Sequence, residues 1–203
     1  MNRLSIDHSP NMFLGVGPGR CGTRSLAKVL DAQPWVVCHH EQYNHTKAKT
    51  LDVVAMLNRF QLHTSHKVGE VGYIWLTVAR VLRLQYPTLP IICLHRDKYE
   101  VVESFMRRCV RKHKPWVLNF EGVVEDPDES FFARHWDWTE HEMAQLADPV
   151  FHMRTEDLND DAMLDAVMDF LGLPAEGRVY PDERRYNLGD EAAARRLDRW
   201  RVA

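Results

Sequence analysis

Residues 17–25 read Gly-Pro-Gly-Arg-Cys-Gly-Thr-Arg-Ser and carry the densest chemistry of the chain. The glycines Gly17, Gly19 and Gly22 permit a tight turn. An apolar run at 12–16 leads into it as a strand, and a helical pattern follows from residue 25. Strand, glycine turn and helix start make an anion cradle, because the first amides of a helix lack intrahelical partners and the dipole is positive there. The spacing of Gly17 and Gly22 matches the frame G-x-x-x-x-G-K-[ST] of nucleotide triphosphatases. Thr23, however, stands in place of the lysine, and Arg24 in place of the magnesium-binding hydroxyl. Both groups that handle a magnesium triphosphate are missing. Arg20 and Arg24 instead offer guanidiniums, which fork hydrogen bonds to oxyanions without a metal. A plain glycine turn with solvated arginines is the other reading of this segment taken alone.

A second group of residues sits downstream. Arg96 leaves the carboxyl end of an apolar run at 90–94, Asp97 can cap the helix that follows, and Ser104 lies two turns along that helix. A dianion between the Arg96 guanidinium and the Ser104 hydroxyl would receive charge-assisted bonds. An Arg-Asp pair and a helix serine that serve only the architecture are the alternative. His39, His40, Glu41 and His45 cluster after a short strand pattern, but their spacing fits no metal motif such as H-E-x-x-H, so no metal is expected. The basic stretch Arg107, Arg108, Arg111, Lys112, His113 and Lys114 reads as an anion contact or as a solvated helix end. Phe131, Phe132, Trp136 and Trp138, with Trp116 before them, either line a pocket or fill the core.

These groups need elements to hold them. Strand patterns fall at 12–16, 35–38, 67–73 (weakly), 90–94 and 150–153; helical spacing falls at 25–30, 47–60, 76–86, 99–111, 129–146 and 161–171. Such alternation predicts an α/β fold, a P-loop-like three-layer α/β/α domain with a central parallel sheet. Ligands of such sheets lie at the carboxyl ends of strands, where the chain order reverses.

Composition sets outer bounds. The 203 residues, 45% hydrophobic and 27% charged, suit one domain with a real core, preceded by a polar leader at 1–11 and followed by a tail from about 175 expected to pack on or near the anion site. The formal charge of −3 mixes 26 basic with 29 acidic residues, so no global field invites nucleic acid or a membrane surface. Cys21, Cys38, Cys93 and Cys109 lack paired or metal-type spacing and read as reduced thiols. With no signal-like leader and no window of membrane-span length, the expected setting is the cytoplasm.

In the frame of the glycine turn, Arg20-Cys-Gly-Thr-Arg-Ser-Leu26 resembles the PAPS-dependent sulfotransferases, most closely the heparan sulfate branch, whose loop reads approximately K-G-G-T-R-A-L. The resemblance spans about residues 13–171 and implies a transferase that moves a sulfuryl group from PAPS (3'-phosphoadenosine 5'-phosphosulfate) to a hydroxyl or amine of a small molecule or glycan, releasing PAP. It implies that the amides of Gly19, Arg20, Cys21 and Gly22, with Arg24 and the hydroxyls of Thr23 and Ser25, hold the 5'-phosphosulfate. Arg20 stands where the family carries its catalytic lysine. Arg96 and Ser104 match the family's pair that grips the 3'-phosphate. Residues 150–158, Val-Phe-His-Met-Arg-Thr-Glu-Asp-Leu, are similar to a family strand ending in R-Y-E-D-L, with Thr155 replacing an aromatic residue that packs near adenine; Glu156 and Asp157 read as capping residues. By the same resemblance Glu41 is the base for the acceptor proton, His40 the second candidate and Glu70 a distant third, while Arg184, in the segment 184–187, is the nearest match to a basic loop over the 3'-phosphate. A small-molecule P-loop kinase and a non-catalytic nucleotide-binding module are the rival functions.

Overall fold

The computed structural model describes residues 11–181 apart from 43, 46–49, 52, 63–64, 113–115, 119–121 and 125–126; Arg184 and its neighbours lie outside the described residues. In chain order the elements are β1 (Met12–Val16), α1 (Thr23–Asp31), β2 (Val36–His40), the short strands β3 (Asn44–His45) and β4 (Thr50–Leu51), α2 (Val53–Leu62) and β5 (Lys67–Val71). A 3-10 turn Tyr73–Trp75 leads into α3 (Leu76–Gln85), followed by β6 (Ile91–His95), α4 (Lys98–Lys112), the strands β7 (Trp116–Leu118) and β8 (Gly122–Val124) and α5 (Glu129–Ala144). Last come β9 (Val150–Arg154), a second 3-10 turn Thr155–Asn159 and α6 (Asp161–Phe170).

Five strands form one parallel sheet in the order β2-β5-β1-β6-β9. Side chains alternate across it. Phe13, Ile92, Leu94, Val71 and Met153 meet Leu26, Leu30, Leu164 and Val167 of α1 and α6 on one face. Met12, Leu14, Val68, Ile91 and Cys93 meet Met56, Leu82 and Met143 of α2, α3 and α5 on the other. Both faces are covered, as a parallel sheet requires, and the three layers match the expected α/β class. From β1 the chain moves to one edge and returns, then crosses to β6 on the other side, so the order reverses beside β1, where the glycine turn emerges.

Two local expectations change. The helix expected over 47–60 starts at Val53, because Thr50 and Leu51 pair antiparallel with His45 and Asn44 instead. The antiparallel pair of β7 and β8 was not expected; strands of three residues are too short for alternation to register. The weak strand at 67–73 is β5 and lies between β2 and β1, well inside the sheet. Its pattern is weak because Gly69 and Glu70 interrupt it.

The described part of the tail packs at the other end of α1 from the glycine turn. Gln33 donates to the Val179 carbonyl at 2.7 Å and accepts from the Val179 amide at 3.0 Å, and the Arg178 guanidinium joins Asp165 and Asp169 of α6.

Candidate active site

The turn after β1 closes on Gly22, whose φ of 87° is the left-handed conformation that glycine adopts at little cost. A Cβ there would stand 2.8 Å from Leu158 Cδ1, so any side chain would also collide with the second 3-10 turn. Having no side chain, Gly22 supplies no oxygen to cap α1, and no acidic residue occupies the first turn. That helix start is left to an external anion. Thr23 and Ser25 are buried there and Arg24 is exposed. The Cys21 thiol is fully buried and pushed up to about 12 by that burial, so it stays protonated and Cys21 offers a ligand only its backbone.

Among the described residues, two non-glycine residues have positive φ: Arg20 at 56° and Glu41 at 54°. Left-handed backbone at such residues costs on the order of 1 kcal/mol and persists only where its surroundings impose it; such strain gathers at functional sites. Both are candidates for chemistry on sequence grounds.

The structure joins the two groups that the sequence offers for anions. Arg20 Nε donates to Ser104 Oγ at 2.9 Å, and Arg96 Nη1 donates to the Arg20 carbonyl at 2.7 Å. Arg96 Nε also pairs with Glu100 at 2.8 Å, and Asp97 accepts from the Glu100 amide as the cap of α4. The Arg20 guanidinium thus reaches toward the Arg96–Ser104 end of the site. By accepting from Arg20, the Ser104 hydroxyl keeps its own proton to donate to an anion.

Around the start of α1, His40 Nε2 lies 3.1 Å from Thr23 Oγ1. Burial first, then the charges of Arg24 and Arg108, lower His40 to about 4, so its ring is neutral at pH 7. If Thr23 donates to an anion, the ring must donate its Nε2 proton to Thr23; His40 is then an orienting group on the donor side. Glu41 follows it in the turn after β2, its Cγ so close to Gly72 that a Cβ there would lie 2.6 Å away. Burial raises Glu41 to about 7, opposed by Arg108 and by the Tyr73 amide. His39 pairs in register with Glu70 inside the sheet.

Several functional contacts had no sequence signal of their own. Thr155 Oγ1 lies 2.8 Å from the Cys21 carbonyl and 3.2 Å from that of His95, tying the glycine turn to the end of β6. Its position was noticed only for a missing aromatic group. Asp157 accepts from the Arg154 amide at 2.6 Å, the capping role expected of it. His135 Nε2 donates to the Pro18 carbonyl at 2.7 Å; burial lowers it to about 4, which keeps it a neutral donor. Trp136 Nε1 donates to the Arg96 carbonyl at 2.9 Å. Helix α5 therefore backs both the glycine turn and the end of β6, while Phe131 and Phe132 pack on Phe105 as core. Arg108, first met as part of a basic helix end, directs its charge at His40 and Glu41.

Thr155→Val is expected to lower stability by about 1–2 kcal/mol in urea titrations, since the part-buried Cys21 and His95 carbonyls lose the one hydroxyl proton they share while the volume is kept. An unchanged midpoint would show that this tie contributes nothing to the fold.

No family model matches the chain, and no curated protein matches it in sequence. Among solved structures, the sulfotransferase domain from the curacin biosynthetic pathway is similar in fold, with a TM-score of 0.55 at 16% identity over 90% of this chain and 81% of that one. The chain thus shares the α/β fold of a sulfotransferase domain.

Proposed function

We propose that the protein is a PAPS-dependent sulfotransferase acting in the cytoplasm on a hydroxyl or amine acceptor. The observation that carries this reading is the bonded chain from Arg96 through Arg20 to Ser104, which couples the cradle for a 5'-phosphosulfate to a grip for a 3'-phosphate. A nucleotide with anions at both ends suits that arrangement, and the likeness in fold to a sulfotransferase domain supports it. The finer kinship with the heparan sulfate branch rests on the glycine-turn sequence and on the place of Glu41 after the second strand.

In the reaction, the acceptor heteroatom attacks sulfur as the bond from sulfur to the bridging phosphate oxygen breaks in line. PAP departs with that electron pair, and the acceptor proton passes to a Glu41 carboxylate oxygen. A base near 7 is well matched to neutral pH. The amides at the start of α1, the Thr23 hydroxyl oriented by His40, and Arg24 hold the phosphosulfate. Arg96 and Ser104 hold the 3'-phosphate, and Arg20 sits between the two and steadies charge on the leaving phosphate, a preorganised electrostatic role. The donor's own charges are met by guanidiniums and amides, so the chemistry asks for no metal.

The test is transfer from sulfur-labelled PAPS to a panel of sugars, lipids, small alcohols and amines. Label on any acceptor, lost without enzyme, is the expected result. Tight PAP binding with no transfer across the panel would make the chain a binding module instead. Phosphoryl transfer from magnesium ATP would make it a kinase.

A further inference from the structure

Inside the sheet, next to the turn that carries Glu41, lies a second carboxyl that the mechanism above does not use. Glu70 on β5 is fully buried, and its Oε2 accepts from Trp75 Nε1 at 3.0 Å. Its Oε1 meets no donor at hydrogen-bond geometry among the described residues. A carboxyl placed there is costly to folding; an apolar residue of similar volume would serve the core better. Its surroundings suggest what it does. A Cβ on Gly72 would lie 3.4 Å from Trp75 Cδ1, 2.6 Å from Glu41 Cγ and 3.3 Å from Glu41 Oε1. Cδ1 and Nε1 are neighbouring atoms of one indole edge, so the edge that Glu70 holds packs on the same Gly72 backbone as Glu41 does.

We propose that Glu70 is a positioning residue for Glu41: it fixes the Trp75 edge that packs with Glu41 on Gly72 and sets a second carboxyl close to it. This rests on the reading of Glu41 as the base. Trp75 and the Tyr73 amide come from the 3-10 turn, Arg108 comes from α4, and His39, in register with Glu70, comes from β2; the Cys38 thiol, raised by burial and by Glu70, lies on the opposite face of the sheet. Burial raises Glu70 to about 7; Trp75 and the amides of Gln42 and Glu41 oppose this, and the Glu41 charge adds to it. Electrostatic coupling is mutual, so each carboxyl makes the other harder to ionise.

Glu70→Gln keeps an acceptor for Trp75 and removes the charge. In this variant the acid limb of kcat/KM against pH is expected to move down by about half a unit or more, with PAP affinity within about twofold of wild type. Glu70→Leu, which also releases Trp75, is expected to lower kcat severalfold with PAP affinity again kept. A Glu70→Gln limb that overlays the wild type would overturn the proposal, because a merely structural carboxyl leaves the profile where it was. Carbon-13 NMR titration of the glutamate carboxyls gives a readout that does not depend on turnover. In Glu41→Gln the Glu70 midpoint is expected to fall; an unmoved midpoint overturns the coupling. Should Glu41→Gln retain full turnover, the base assignment fails, while the NMR titration still decides whether the two carboxyls are coupled.

Discussion

Glu41→Gln is expected to reduce kcat by roughly 10²–10⁴-fold, the usual range for a positioned general base, while PAP affinity stays within about twofold. Glutamine keeps the shape and the left-handed turn's constraints but cannot take a proton. The separation is sharp because Glu41 lies over Gly72 in the turn after β2, whereas the proposed donor contacts belong to the glycine turn and to α4. The pH dependence follows from the raised value. Burial disfavours the carboxylate, so the group is largely protonated below about 7 and ionised above it; kcat/KM of the wild type therefore rises through that region toward a plateau. In Glu41→Gln the residual rate should lose that rise. Unchanged turnover would return the base role to another group. His40 would be a poor substitute, because its Nε2 is engaged with Thr23.

Arg96→Ala is expected to raise the dissociation constant for PAP by roughly 10–100-fold. Losing a charge-assisted hydrogen bond from a half-buried guanidinium costs about 1.5–3 kcal/mol, and each 1.4 kcal/mol is about tenfold. In the proposed reading Arg96 does two things at once, since one arm supports the Arg20 carbonyl of the glycine turn while the guanidinium takes the 3'-phosphate. Its loss should therefore weaken adenosine 5'-phosphate as well as PAP. Ser104→Ala separates the two ends. It removes only a hydroxyl, so PAP should weaken about tenfold and adenosine 5'-phosphate hardly at all. Equal losses for both nucleotides in Ser104→Ala would contradict the placement of the 3'-phosphate there.

What could be read from the chain and what could not divide along sequence distance. The glycine turn, the Arg96–Ser104 interval and most strands are local patterns, and the three-layer α/β fold follows from their alternation. The supporting contacts are not local. Thr155 reaches Cys21 across 134 positions and His135 reaches Pro18 across 117, with no periodicity to announce either. His135 sits among Phe131, Phe132 and Trp136, where a lone histidine reads as a core residue; its one hint was being the histidine within that aromatic run. Gly69 and Glu70 interrupt the short strand Lys67–Val71, and that interruption lowered the strand's visibility. Arg108 shares its run with five other basic residues. Only its position one turn beyond Ser104, on the same face of α4, distinguishes it, and the spacing gains meaning once Ser104 is placed in the site. The left-handed turns at Arg20 and Glu41 are likewise invisible in a sequence, because arginine and glutamate carry no left-handed preference.

The most direct test is a calorimetric titration of the protein with PAP and with ADP, each in EDTA and again in magnesium. A site with an amide cradle at one end and a guanidinium and hydroxyl grip at the other predicts that PAP binds at least tenfold more tightly than ADP and that magnesium leaves this preference intact. Tighter binding of ADP, or PAP binding that vanishes in EDTA, would contradict the account.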